Sequence, residues 1–166
     1  YPEGGDMLAG FSNRIGFQAV TESGIPIEVT GFIKDSKGRS VANFESFHDG
    51  MGRFALSPQK GENYTAVIKQ PAHLQGTSFA LPLAKLEGAT MAATTSGNKV
   101  TVKVNSTIEQ KATLIGHIRG KVVHTESMEL QAGENELIIA TKDMPAGVMH
   151  LTLFDAGKRA TAERLV

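Results

Sequence analysis

Cysteine and tryptophan are both missing from this 166-residue chain. Without cysteine there are no disulfides, thiolate metal ligands, thiol nucleophiles or internal thioesters. The compartment stays open on that count, because exported proteins also do without disulfides. Aromatic residues make up only 6% of the chain, too few to supply a stacking platform for sugars or bases. Net charge is missing too: 17 basic residues balance 17 acidic ones. Dividing the chain near Pro71 leaves 7 basic and 8 acidic residues before it and 10 and 9 after. Neither half therefore carries the electrostatic footprint of a nucleic-acid or anionic-lipid binder. No apolar run is long enough to cross a bilayer, so direct membrane insertion is not expected. No basic stretch followed by an apolar one opens the chain, and Tyr1-Pro2-Glu3-Gly4-Gly5 reads like the interior of a protein. An excised piece of a larger protein or a mature product is the expectation.

What the chain does have is two-residue periodicity. Ile15, Phe17 and Ala19 alternate with polar or small neighbours, as do Ile27 and Val29, Phe54 and Leu56, and Tyr64, Ala66 and Ile68. Val100, Val102 and Val104 give the cleanest case, and Met149, Leu151 and Leu153 close the series. Such alternation puts one face of a strand on a core and the other in water. Turn glycines punctuate it: Gly24, Gly38, Gly50 and Gly61, then Gly120, Gly133, Gly147 and Gly157. Short strands at this spacing, with no sustained helical pattern, predict an all-β fold, a sandwich or a barrel.

The rhythm breaks after Lys69, where Pro71 and Gly76 discourage a central strand. This predicts a first sandwich over residues 1–72, a linker over 73–77 and a second sandwich over 78–166. The Ala-, Thr- and Ser-rich stretch from Ala89 to Asn98 reads as holding a loose hairpin loop rather than true low complexity. Phe44, Phe47 and Phe54 read as core plugs.

Residues with chemical potential have plain structural readings. Arg119-Gly120 looks like a two-residue hairpin turn. That turn would pair Ile118 with Lys121, His117 with Val122 and Ile115 with His124. His117 and His124 would then be diagonal neighbours on one face, the sole weak candidates for a metal site. No third ligand is fixed near them by local spacing, and a solvent-facing pair is the expectation. His48-Asp49-Gly50-Met51-Gly52 lacks the alternating oxygen ligands of a calcium loop and reads as a tight turn. There is no Gly-x-Ser-x-Gly elbow and no phosphate or dinucleotide glycine pattern. No catalytic residue, cofactor or cofactor-binding residue is assigned.

Several strings carry a family likeness. Pro2-Glu3-Gly4-Gly5, Asn13 to Ala19, Gly31 to Gly38, His48 to Phe54 and Pro58 to Tyr64 resemble the macroglobulin-like modules of large Bacteroidetes cell-envelope proteins. Met144 to Val148, Leu151 to Asp155 and Ala162 to Val166 are similar to the closing strands of the next module in that family. The resemblance covers nearly all of the first module and mainly the C-terminal third of the second. It implies an all-β fold of two tandem immunoglobulin-like, macroglobulin-type antiparallel β-sandwiches in long exported proteins, periplasmic or outer-membrane associated, some linked to TonB-dependent receptors. Protease trapping in the alpha-macroglobulins rests on a Cys-Gly-Glu-Gln thioester, which this chain lacks, so that activity does not carry over.

The expected function is a non-catalytic spacer and docking frame. Its partners would be neighbouring domains of the parent protein and an outer-membrane receptor or another envelope protein. A binding component of a TonB-dependent uptake system is the second reading. A hydrolase with a site assembled in space is the third.

Overall fold

All 166 residues are described by the computed structural model. The fold is all-β: thirteen strands and a single 3-10 turn at Ala72–Leu74. It divides into two compact units, one made of Tyr1–Pro2 and Ala9–Ala84, the other of Glu3–Leu8 and Lys85–Val166.

The first unit holds β1 (Asn13–Gln18), β2 (Thr30–Lys34), β3 (Ser40–His48), β4 (Met51–Leu56), β5 (Thr65–Gln70) and β6 (Ser78–Ala80). They form one antiparallel sheet in the order β1-β4-β3-β2-β5-β6. The nine-residue β3 joins its two halves. Residues Ser40 to Glu45 pair with β2, whereas Ser46 and His48 pair with β4 across an irregular register. Such irregularities bend a strand and let a sheet turn back on itself. The result is a fold whose two end strands, β1 and β6, border one cleft.

Two glycines shape the interior of this unit. Gly52 lies opposite Phe17 and Gly31 opposite Phe44 in the strand registers. A Cβ on Gly52 would collide with the Phe17 ring and the Glu45 carbonyl oxygen. A Cβ on Gly31 would collide with the Phe44 ring and the Val67 carbonyl oxygen. Each ring therefore lies over bare backbone, a cross-strand pairing in which the aromatic covers the gap that glycine leaves. Phe17 meets Phe44 edge-on at 5.2 Å and 72°, with Phe54 at 6.4 Å from Phe17 and 6.1 Å from Phe44. Phe44 and Phe54 thus pack as expected. Phe47 does not: it is 69% exposed, because Phe44 and Ser46 take the inward positions and alternation turns Phe47 out.

The second unit holds β7 (Ala89–Ser96), β8 (Lys99–Ser106), β9 (Gln110–Ile118), β10 (Lys121–Leu130), β11 (Gly133–Ala140), β12 (Met149–Asp155) and β13 (Ala160–Leu165). They make an immunoglobulin-like sandwich, with β11-β8-β7 as one sheet and β10-β9-β12-β13 as the other. Its core draws alternate residues from both sheets. Val100, Val102 and Val104 come from β8, Leu114 and Ile118 from β9, and Met149, Leu151 and Leu153 from β12. The stretch from Ala89 to Asn98 holds the expected hairpin turn at Gly97-Asn98 and is otherwise strand: β7 pairs residue for residue with β8 from Ala89↔Ser106 to Ser96↔Lys99. Burial of Ala89 and Met91 on that core outweighs the low strand propensity of alanine and serine.

The boundary also differs from the expected one. Residues 73–77 form the β5–β6 connection inside the first unit, with Ile68 N–H donating to Thr77 O and Gly76 N–H donating to Ile68 O. Ser78–Ala80 then pairs with Thr65–Val67, so 78 does not open the second unit. A hairpin loop and a linker between domains share the same composition, so Pro71 and Gly76 mark a turn without saying which kind.

The N-terminal segment is divided as well. In the second unit Met91 N–H donates to Gly4 O at 2.8 Å and Lys85 N–H to Met7 O at 2.8 Å, and Leu8 bridges to Lys85 in parallel. The chain therefore passes between units after Pro2, after Leu8 and after Ala84.

Candidate functional site

Arg119-Gly120 does form the expected two-residue turn, with φ of 50° and 77° and Lys121 paired with Ile118. Val122 pairs with His117, again as expected. A bulge then inserts Val123, so His124 lies opposite Gly116 rather than Ile115. One extra residue moves a side chain to the other face of a sheet. A Cβ on Gly116 would meet the His124 Cβ, Leu151 and Met149, each at 3.3 Å, which places His124 on the core side. His117 is on the opposite side, stacked on His150 of β12 with ring centroids 4.8 Å apart and planes 18° from parallel. His117 and His124 thus do not converge on one ion, and no group of three potential ligands gathers elsewhere. His124 Nε2 lies 3.3 Å from a Glu126 carboxylate oxygen without hydrogen-bond geometry, and His117 Nδ1 has no hydrogen-bond partner. The His117–His150 stack joins strands 33 positions apart, and no local pattern foretells it.

His48-Asp49-Gly50 is a tight turn, with φ of 46° at Asp49 and 70° at Gly50. Gly50 is required by space as well as by φ, since a Cβ there would strike the Ala19 carbonyl oxygen. Its N–H donates to Glu28 Oε1 at 3.1 Å. The Ser46 hydroxyl first and this N–H second hold the Glu28 carboxyl below its ordinary value. Two further carboxylates organise turns in the same way, one in each unit. Asp35 accepts the Arg39 N–H at 2.9 Å and its Nε at 2.7 Å; Asp155 accepts the Arg159 N–H at 3.0 Å and its Nε at 2.9 Å. Burial pushes Asp35 up, but these bonds together outweigh it and hold the carboxyl low. For Asp155 the Arg159 N–H is the largest cause of the lowering. These perturbed acids are committed to turn geometry.

The one large concavity of the first unit is of another kind. It is a cleft of about 760 Å³ between β1 and β6, floored by Phe17, Phe44, Phe54, Ile27, Val29 and Ile68. Phe79 of β6 also lines it and is 58% exposed. Gln18, Thr21, Glu22, His73 and Thr77 are polar residues of its lining. Volume and lining fall in the range of sites that hold apolar ligands or side chains. Sequence reading found the phenylalanines and gave them to the core; that the sheet leaves a gap beside them depends on which strands become edges.

No protein-family model matches the chain, and no curated protein matches it. Among solved structures, a DUF4785 family protein from Legionella pneumophila aligns over 98% of this chain at 11% identity, with a TM-score of 0.36. The chain spans about half of that protein, 54% of its length. Domains 3 and 4 of rat CD4 align over 95% of this chain and 94% of that one, at 14% identity and a TM-score of 0.35. The chicken interferon gamma receptor alpha chain aligns over 99% and 96%, at 11% identity and a TM-score of 0.33.

Proposed function

We propose that this chain is a non-catalytic pair of β-sandwich modules, serving as spacer and docking frame within an exported cell-envelope protein of macroglobulin-like type. Its partners are neighbouring domains of the parent protein and an outer-membrane receptor or another envelope protein. The observation that carries the reading is the cleft of the first unit: apolar in its floor and bordered by two edge strands, it is built for apolar or strand-to-strand contact. The motif residues support the same reading. His48 to Phe54 is the β3–β4 hairpin, Gly31 to Gly38 is β2 with the Asp35 turn, and Gln59 N–H donates to the Tyr64 hydroxyl within Pro58 to Tyr64. Each is occupied in making the fold.

A photo-crosslinking residue in the parent protein tests this, placed at Phe79 or Val20, which line the cleft and are 58% and 48% exposed. The expected result is a discrete adduct with an envelope polypeptide in the outer-membrane fraction. Turnover of ester or peptide substrates by the purified chain, abolished by a single polar substitution in it, would refute the reading in favour of a hydrolase.

A further inference from the structure

The second unit takes in Glu3–Leu8 from far outside its own run of residues. β7 and β13 are the end strands of its two sheets, and the segment lies between them. Gly4 O accepts the Met91 N–H of β7 at 2.8 Å. A Cβ on Gly5 would meet the Thr161 carbonyl oxygen and the Ala162 side chain of β13, and the Ala89 carbonyl oxygen of β7. Glu3 pairs with Arg164 of β13 at 3.4 Å, and Asp6 with Lys85 at 2.6 Å. Met7 and Leu8 are buried, Leu8 against Gly88. Every one of these partners lies in 85–166. The connection leading into that stretch is short. Leu81 N–H donates to Tyr64 O and Lys85 N–H to Met7 O, so only Pro82, Leu83 and Ala84 separate the last bond of one unit from the first of the other. Pro82 and Leu83 are exposed.

We propose that two copies of this chain pair by exchanging Glu3–Leu8, each laying its segment between β7 and β13 of the other. Every bond the segment makes within one chain is then made again between copies, and only Pro82–Ala84 takes a new course. Exchange of an identical element across a short hinge is a low-cost route to a symmetric dimer. The partner is a second copy because the seat is exacting. Its two glycines hold φ of 78° and 127°, and a Cβ on Gly4 would strike the Met91 carbonyl oxygen. Arg164 asks for an acid just ahead of them, Lys85 for an acid just after, and the buried end for two apolar residues. Glu3-Gly4-Gly5-Asp6-Met7-Leu8 meets all of these, and every copy carries it. Within one chain the segment is held near its seat at an effective concentration on the order of millimolar, so exchange needs chains folded together at about that concentration. The inference goes beyond the proposed function and makes no use of the first unit's cleft.

The test uses whole chains, refolded from denaturant and sized by chromatography with light scattering. Refolding at about 1 mM gives dimer, and refolding at about 1 μM gives monomer. Two charge variants then ask what the dimer is made of. Glu3→Arg and Arg164→Glu each set like charges together, both in the closed chain and in a dimer of that variant with itself. An exchanged dimer of one with the other matches the charges at both seats. Refolded together, the two variants therefore give about tenfold more dimer than either gives alone. Carrying both substitutions in one chain returns dimer to the wild-type level. A second readout does not depend on charge. The chain has no cysteine, so Asp6→Cys in one copy and Lys85→Cys in the other meet a short bismaleimide only across an exchanged seat. A covalent dimer forms after refolding together at about 1 mM, and not when chains folded separately are mixed. Monomer at every concentration overturns the proposal. So does a dimer in which the charge variants gain nothing by mixing, or a crosslink that forms equally from separately folded chains.

Discussion

Replacing Gly52 with alanine tests whether the bare backbone under Phe17 is required. In a strand, a Gly→Ala change at a compatible position stabilises by about 0.4–1 kcal/mol through the unfolded chain. At Gly52 the new Cβ meets both a ring and the Glu45 carbonyl oxygen, and the carbonyl cannot swing away without breaking the strand. Overpacking of this kind costs about 1–3 kcal/mol. Displacing the ring also weakens its edge-on contact with Phe44, worth about 0.5–1.5 kcal/mol. The net is a loss of about 1–3 kcal/mol, or roughly 5–20 °C in the melting temperature of a unit this size. Gly16, one strand away, is the control: a Cβ there would find only the Tyr1 and Gly52 carbonyl oxygens, at 3.7 and 4.0 Å. Gly16→Ala is therefore neutral or mildly stabilising. Tyrosine fluorescence during thermal melts reads both variants, and adding Phe17→Leu to Gly52→Ala recovers part of the loss. Equal melting temperatures for the Gly16 and Gly52 variants would refute the argument that the ring occupies the glycine's space.

Other expectations follow from the turns, the bulge and the divided N-terminus. The Asp35 carboxyl is held low in the folded state, so its stabilisation is present above the unfolded value of about 3.9 and fades as pH falls through the folded one. Asp35→Asn lowers the melting temperature at pH 7 and flattens the acid limb; an unchanged limb would show that the Arg39 turn contributes nothing. Zinc at modest concentration leaves the melting temperature of the chain unchanged, because His117 and His124 face opposite sides of their sheet. A zinc-dependent rise lost in His124→Ala would contradict that placement. The isolated stretch 85–166 loses the hydrogen bonds to Gly4 and Met7, a deficit of about 1–3 kcal/mol, and adding residues 3–8 back as a peptide restores it. Calorimetry that finds it as stable as in the whole chain would refute the assignment of that segment to the second unit.

Strands and turns were legible because each depends on neighbours two or four residues away. Val100, Val102 and Val104 announce an inward face, and Asp49-Gly50 announces a turn whatever lies beyond it. Features that depend on pairing partners were not legible. The Val123 bulge has no signature in Lys121 to Thr125, yet it alone separates His124 from His117. Phe17 and Phe44 read as core residues, but their counterparts were glycines on neighbouring strands, visible only once register was known. Pro71 and Gly76 signalled a break in periodicity, and only the pairing of Ser78–Ala80 with β5 shows that the break lies within a unit.

The divided N-terminus also sets an order of events. Glu3–Leu8 is made before all of the first unit but Tyr1 and Pro2, yet its partners Lys85 and Met91 follow only after Ala84. At ordinary synthesis rates of about 5–20 residues per second, the segment waits about 4–15 s for the strand it joins. Over that interval the residues of the first unit are made, so by its end that unit can fold while the second cannot yet close. A recombination event that moved residues 85–166 as a cassette would leave this opening stretch behind in the donor. The two units are consequently inherited, and completed, as one piece of chain.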